Sequence, residues 1–282
     1  KAISKKWKIV SISRKRNQNV IKNPLVENLF FDVSNLKKTS QLKKYKFDYV
    51  INTSGYVDHS TFSTNGISII NNHLISVINL VSVLNKSKLK RFIQIGSSEE
   101  YGLSSNSNEN QREDPISTYS FSKVSSTHFL QMMSRSEKFP VTILRLFLVY
   151  GPGQKDNRLI PFVIKKCLNG EKFKVSKGDQ IRDFLYISDV VDAIFLSLNV
   201  NSVNGNIYNL GSGKGRSVRS IIKLINEDIG RGKPLYGFRK TNRTESRYLV
   251  ANVKKIKKDL KWSSKVEIED GLTKTINYFN EN

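Results

Sequence analysis

Short apolar runs and longer mixed stretches alternate along the first half of the chain. Trp7–Ser13 predicts a buried strand, and Asn28–Asp32 and Phe47–Asn52 predict a second and a third. From Asn72 to Asn85 the apolar residues Leu74, Ile75, Ile78, Val81 and Leu84 recur with a helical period. Arg91–Ile95 predicts a fourth strand ending at Gly96 and Ser97, a helix is expected from Ser117 to Lys138, and Val141–Leu146 predicts a fifth strand. Strands separated by helices imply an α/β protein with a doubly wound parallel sheet. Such sheets take ligands at the carboxyl ends of their strands, and Ser97 lies at one such end.

After Tyr150-Gly-Pro-Gly153 the pattern loosens into shorter elements joined by loops rich in Gly, Asn and Lys. The expected division is a main sheet domain over 1–150 and a smaller lobe over 151–282 that closes over the strand ends. A length of 282 residues suits either one large domain or two smaller ones. No internal repeat is present.

Composition narrows the partners. The net charge is +23, from 47 basic against 24 acidic residues, which attracts polyanions. The basic residues are spread over nearly every segment and no base-stacking motif accompanies them, so nucleic acid is not expected as a partner. A solvated basic surface facing an anionic small molecule is the better reading. No unbroken apolar run reaches the roughly 18 residues of a membrane span and no secretory signal is visible, so no membrane partner is expected. The single cysteine, Cys167, can make no internal disulfide, which suits a reducing cytoplasm, the expected location. His59, His73 and His128 have no metal-ligand spacing, and no metal is expected.

The chemistry concentrates around Tyr119-Ser-Phe-Ser-Lys123. Residues four apart share one helix face, which sets a phenol beside an ammonium. The positive charge of Lys123 is expected to lower the pKa of Tyr119 and make it a proton carrier for a sugar hydroxyl. Ser97 could hydrogen-bond the same oxygen.

These residues, with further markers in order, resemble the extended short-chain dehydrogenase/reductase family, in its NAD-dependent epimerase/dehydratase branch acting on nucleotide sugars. The markers are Phe47–Ile51, Gly96-Ser-Ser-Glu-Glu-Tyr-Gly102, Tyr119 with Lys123, Leu144-Arg145, Val149–Gly153, Arg182–Val190, Tyr208–Gly213, Arg243-Thr-Glu245 and Leu260-Lys-Trp262. The resemblance covers essentially the whole chain. It implies a Rossmann-like fold with a C-terminal substrate-binding lobe. It makes Ser97, Tyr119 and Lys123 the catalytic set, with Glu99 as an additional acid or base. Ser98, Arg182 and Arg243 would contact a nucleotide-diphosphate sugar, the two arginines at its diphosphate. Arg14, Lys15, Asp32, Val33, Thr53, Ser54, Gly55 and Lys123 would contact the cofactor. A homodimer through the helices at 72–85 and 117–138 is expected by analogy.

The chain departs from the family pattern in four places. The family opens on a strand, a Gly-x-x-Gly-x-x-Gly turn and a helix. This chain begins on what resembles the end of that helix, so the expectation is a sequence lacking about 20 residues of such a unit. The second strand ends in Ser13-Arg14-Lys15-Arg16, with no acid for the adenosine ribose, which favours NADP(H), with NAD the alternative. Leu148 stands where many relatives carry an Asn that contacts substrate. Gly211-Ser-Gly-Lys-Gly215 imitates a phosphate loop, but the resemblance makes it a structural turn.

All members begin with hydride transfer at a sugar carbon, usually C4. Ser98-Glu99 fits a form of the dehydratase acid/base pair, while reductases of 4-keto-6-deoxy sugars share the Ser-Ser-Glu-Glu-Tyr-Gly stretch. The expected order is reductase, then 4-epimerase or 4,6-dehydratase. A non-catalytic cofactor- or RNA-binding protein of the same fold is the alternative of another class.

Overall fold

The computed structural model describes residues 1–16, 20–105, 107–200, 203–239 and 246–281. Strands β1 (Ile9–Ser13) and β2 (Val26–Phe30) pair in parallel, with Ile9 opposite Val26. β2 starts two residues before the position that the apolar pattern suggests. Asp32 therefore lies beyond the strand, where its Oδ1 accepts the N–H and hydroxyl of Ser34 at 2.8 and 2.7 Å. A short helix, α1 (Leu36–Thr39), capped by Asn35, leads to β3 (Tyr49–Asn52).

The next helical run covers Phe62–Val83 and begins ten residues before Asn72. It contains α2 (Ile67–Ile70) and α3 (Ser76–Val83), each preceded by one wider turn. By length and composition alone this run could cross a membrane, yet half of its most apolar window is buried inside the fold. Its polar residues are engaged within the protein: the Asn79 amide donates to the carbonyls of Val33 and Ser34, and Ser76 donates to that of Asn72. These contacts make it a core helix.

β4 (Arg91–Ser97) follows, then α4 (Thr118–Glu137) and β5 (Val141–Leu146). Ser117 caps α4 by accepting the N–H of Ser120, and Lys138 ends it in the left-handed region at φ 57°. The sequence boundaries of 117 and 138 are these two caps. The second half comprises β6 (Leu148–Tyr150), α5 (Leu159–Leu168), β7 (Lys172–Val175), β8 (Ile181–Tyr186), α6 (Ile187–Ser197), β9 (Ile207–Leu210), β10 (Gly215–Ser217), α7 (Val218–Ile229), β11 (Lys233–Tyr236), β12 (Tyr248–Leu249), α8 (Lys254–Leu260) and α9 (Ile268–Glu281).

Parallel strands flanked by helices place the molecule in the α/β class, with one correction to the expected layout. The expected single sheet is two parallel sheets, β1-β2 and β3-β4-β5-β9, with no ladder joining β1 to β3 among the described residues. Trp7, just before β1, stacks on Tyr49 of β3 with ring centroids 5.2 Å apart and bridges the two. β4 and β5 are buried on both faces, as central parallel strands are, whereas β1 and β3 are largely half-buried. β9 returns to the main sheet beside β5, and Leu144 shares one core with Leu185, Val190 and Tyr208.

The remaining strands build the second layer, where β8 lies between β10 and β12 and also pairs with β6. Cys167 is buried in its core with Val163, Ile221 and Ile225. Asp183 of β8 is fully buried, and its carboxylate accepts the N–H groups of Ser212, Gly213 and Ala251 and the Ser212 hydroxyl at 2.6–3.1 Å. The Gly211–Gly215 loop therefore spends its N–H groups on a carboxylate of its own chain, as a structural turn does. Replacing Asp183 by Ala leaves these donors buried and unpaired, so Asp183→Ala should lose about 3 kcal/mol of stability. Equilibrium urea unfolding measures this, and a loss below the usual scatter of surface substitutions would disprove the anchoring role.

Candidate active site

A cavity of about 1290 Å³ opens over the carboxyl ends of β3 and β4. Sites for one small ligand span about 300–1,000 Å³, so this one has room for two. Thr53, Ser54 and Gly55 after β3, Ser97, Ser98 and Glu99 at the end of β4, and Tyr119 and Lys123 on α4 all line it. Arg182 reaches it from β8. Sequence separations of up to about 130 residues thus close on one space, because parallel strands deliver their ends to the same edge.

Ser97 is the N-cap of the turn Ser98–Tyr101, and its hydroxyl accepts the Glu99 N–H at 3.2 Å. Tyr119 and Lys123, four residues apart in the first turns of α4, are both buried, and the ammonium lies 5.8 Å from the phenol ring centre. The expected electrostatics are reversed. Burial pushes the Tyr119 phenol well above its ordinary value, the Glu99 and Glu100 charges add to this, and a hydrogen bond with Ser97 and the Arg158 charge oppose it. Lys123, whose Nζ donates to the Ile95 carbonyl at 2.9 Å, does not offset burial, because it gives up its own proton before the phenol does. Burial pushes Lys123 itself down to about 8, against the opposing charges of Glu100 and Glu99. With no ligand present, this is a protonated phenol beside a weakly acidic ammonium.

Two histidines that sequence reasoning passed over flank the phenol. His59 lies 6.1 Å from the Tyr119 ring, and its Nδ1 is 3.6 Å from Glu99 Oε2. His73 meets Tyr119 edge-on at 5.1 Å. Its Nε2–H donates to the Tyr56 carbonyl at 2.9 Å, and Nδ1 is buried without a partner. The ring fills the space over Gly55, whose φ is +102°, and a Cβ there would lie 2.3 Å from the imidazole. The residue after Ser54 must therefore be glycine. Nothing in the apolar pattern marks either histidine, since both are brought in by loops and wide turns.

Arg14 and Lys15 are exposed beyond β1, outside the cavity wall. Arg14 lies 5.4 Å from the ring centre of Tyr56, which does line the cavity, and donates to Asn72 Oδ1 at 3.4 Å. Asp32 and Val33 follow β2 and are held by their turn: the Val33 carbonyl accepts from Thr39 and Asn79. Arg182 is buried and donates to its own strand at the Ile181 carbonyl. Asp183 and Asp189, the acids that follow it in the sequence, hold backbone N–H groups, Asp183 as described and Asp189 those of Lys265 and Val266. Arg243 lies outside the described residues. Among the described residues no group of three or more His, Cys, Asp or Glu side chains could hold a metal.

A nicotinamide dinucleotide fits one end of this cavity. The buried Lys123 cation, the Tyr119 phenol and the glycine backbone at Gly55 suit a ribose and a flat ring. At the pyrophosphate end no glycine turn lies among the described residues, since Gly55 is the first glycine of the sequence.

The parallel sheet and the Ser–Tyr–Lys set at its strand ends define a short-chain dehydrogenase/reductase of the extended type. The chain belongs to the NAD dependent epimerase/dehydratase family, whose model matches residues 1–211. It is 30% identical to the dTDP-D-glucose 4,6-dehydratase of Dictyostelium discoideum over 208 residues, 69% of this chain and 45% of that protein. It is 33% identical to the human dTDP-D-glucose 4,6-dehydratase over 215 residues, 72% of this chain and 60% of that protein. The matches thus span about half the length of these relatives. In three dimensions it is similar to the UDP-glucuronic acid 4-epimerase of Bacillus cereus, solved with UDP-glucuronic acid and NAD, with a TM-score of 0.89, 23% identity and coverage of 99% of this chain and 93% of that one.

His73 makes the fold acid-sensitive. Burial pushes its pKa from 6.5 down to about 4, and the Lys123 charge acts the same way. The unfolded chain takes up a proton near 6.5 that the folded state refuses until about 4. Stability is therefore complete above pH 6.5 and falls by about 3 kcal/mol as the pH drops through that window. His73→Gln should flatten this part of the thermal stability–pH curve, and a variant curve parallel to the wild type would refute the assignment.

Proposed function

We propose that this chain is an enzyme that moves hydride at C4 of a nucleotide-diphosphate sugar, with a nicotinamide dinucleotide as cofactor. The observation that carries this reading is the convergence of Ser97, Tyr119, Lys123 and Glu99 on one cavity that Arg182 also reaches. A bound dinucleotide supplies or accepts the hydride. Tyr119 transfers the proton at the sugar O4, Ser97 hydrogen-bonds that oxygen, and Lys123 offsets the charge left on the phenol once the proton has gone. Arg182 is a guanidinium suited to the diphosphate oxygens.

Reduction of a 4-keto-6-deoxyhexose is the preferred direction. A phenol kept protonated by burial and by Glu99 is an acid, and an acid is what a carbonyl oxygen needs as hydride reaches its carbon. The strand end Arg14-Lys15-Arg16 supports NADP(H), because cations there suit a 2′-phosphate.

One observation favours a second reading, 4,6-dehydration. Glu99 and His59 form an acid/base pair 3.6 Å apart that lines the cavity. After oxidation at C4, Glu99 could take the C5 proton. His59 could give a proton to the C6 hydroxyl, which leaves as water, and the hydride would return to C6 while Glu99 gives its proton back to C5. Two relatives bearing the name dTDP-D-glucose 4,6-dehydratase keep this reading in view. The Glu99–His59 pair could serve 4-epimerisation only as a sugar contact, since that reaction breaks no C5 bond.

Tyr119→Phe in the full-length protein should lower turnover about 10²–10⁴-fold while cofactor still binds. Product analysis separates the readings: reduction consumes one reduced cofactor per 4-keto sugar, whereas dehydration consumes none. Near-normal turnover by Tyr119→Phe would sink the proton-carrier role. For the cofactor, fluorescence titration should give NADPH a Kd at least about tenfold below that of NADH, and Arg14→Ala should erase the difference. Equal affinities in the wild type would leave NAD as the cofactor.

A further inference from the structure

We propose that Glu100 is a positioning residue, whose buried carboxylate ties the strand end bearing Ser97 to the helix bearing Tyr119 and Lys123 and supplies a negative charge that Lys123 faces. The inference rests on reading those three residues as the reacting set, but not on which reaction they perform.

The geometry is a closed knot. Glu100 and Arg145 are both fully buried. Glu100 Oε1 accepts the Ser97 N–H at 2.9 Å. Glu100 Oε2 accepts the Thr127 hydroxyl at 2.9 Å, Arg145 Nε at 2.9 Å, and Arg145 Nη2 at 2.8 Å. Thr127 is one turn beyond Lys123 and two beyond Tyr119, so the carboxylate grips the helix face that carries the reacting pair. On its far side Arg145 Nη2 reaches Glu113 Oε1 at 2.6 Å, and Glu113 Oε2 reaches His128 at 3.2 Å. Room for the carboxylate exists because residue 96 is glycine, where a Cβ would lie 2.7 Å from Glu100 Oε1.

Stability alone is a poor reason for such a site. Burying an ion pair gains little over an apolar pair of the same volume, since desolvation offsets the attraction. The knot instead fixes three elements, β4, β5 and α4, at one point directly beneath Ser97. Around Lys123 the charged and titratable groups are Glu100 and Glu99 from the turn after β4, Tyr119 from its own helix, and His73 from the facing helical run. Of the two acids facing Lys123, Glu100 is the one closed off from solvent.

The test uses the full chain with ¹³C-labelled lysine, reading the Lys123 Cε titration, assigned by its absence in Lys123→Arg. The wild-type midpoint is expected at about 8. Glu100→Gln should move it acidward by about one unit or more, since a facing carboxylate is lost. Glu113→Gln, which leaves Glu100 in place, should not move it. If Glu100→Gln fails to fold because Arg145 loses one of its two carboxylate partners, Glu100→Gln with Arg145→Met removes both charges, and an acidward shift is still expected, smaller because a cation leaves with the carboxylate. Thr127→Val, which keeps the ion pair, should speed hydrogen exchange at the Ser97 amide while the melting temperature changes little. An unmoved Lys123 midpoint in a folded variant lacking the Glu100 charge overturns the electrostatic half, and unmoved Ser97 exchange in Thr127→Val overturns the tie. Both readouts are spectroscopic, so they stand apart from whether the chain turns over a nucleotide sugar.

Discussion

A parallel sheet covered by helices on both faces has only its strand ends open to a polar ligand, and this constraint organises the molecule. β4 and β5 are buried along nearly their whole length. Their side chains are committed to the core, so chemistry collects where the strands stop. Ser97 is the last residue of β4, Gly55 follows β3 closely, and α4 starts its ascent beside them. The large cavity over these ends is a consequence of the layer arrangement, and the second layer contributes Arg182 to it from β8.

Within that cavity burial, rather than pairing, sets the charge states. The proximity of Lys123 to Tyr119 suggests an acidified phenol, yet the phenol is held high and the ammonium low, because both are cut off from water. The carboxylates of Glu99 and Glu100 act in opposite senses on the two groups, opposing ionisation of the phenol and favouring the charged ammonium.

Much of the architecture was legible in the order of apolar runs. The helix bearing Tyr119 and Lys123 lies between the caps that its sequence suggests, Ser117 and Lys138, because a capping serine and a left-handed lysine are local features. The strands at 91–97 and 141–146 were equally plain, being short runs of β-branched and aromatic residues. What failed were features with non-local causes. β2 is displaced by two residues, since pairing with β1 outweighs the apolar pattern. The helical run from Phe62 starts early because wide turns break its period. The return of β9 to the first sheet rests on pairing between segments about 60 residues apart, which no window of sequence reports.

The sequence by itself determined the α/β class, the helix carrying the Tyr–Lys pair and the position of Ser97 at a strand end, because each depends on local periodicity and capping. It also marked Gly211–Gly215 as a loop without revealing that its N–H groups are spent on Asp183, a residue nearly 30 positions earlier. The tertiary structure alone decided that His59 and His73 stand against the phenol. It also decided that Glu100, one residue past Glu99 and alike in type, turns inward to Arg145 and Thr127 while Glu99 faces the cavity. Two adjacent carboxylates of the same type cannot be told apart by pattern. The desolvation that closes one off from water and leaves the other at the cavity exists only once three distant elements have packed around them.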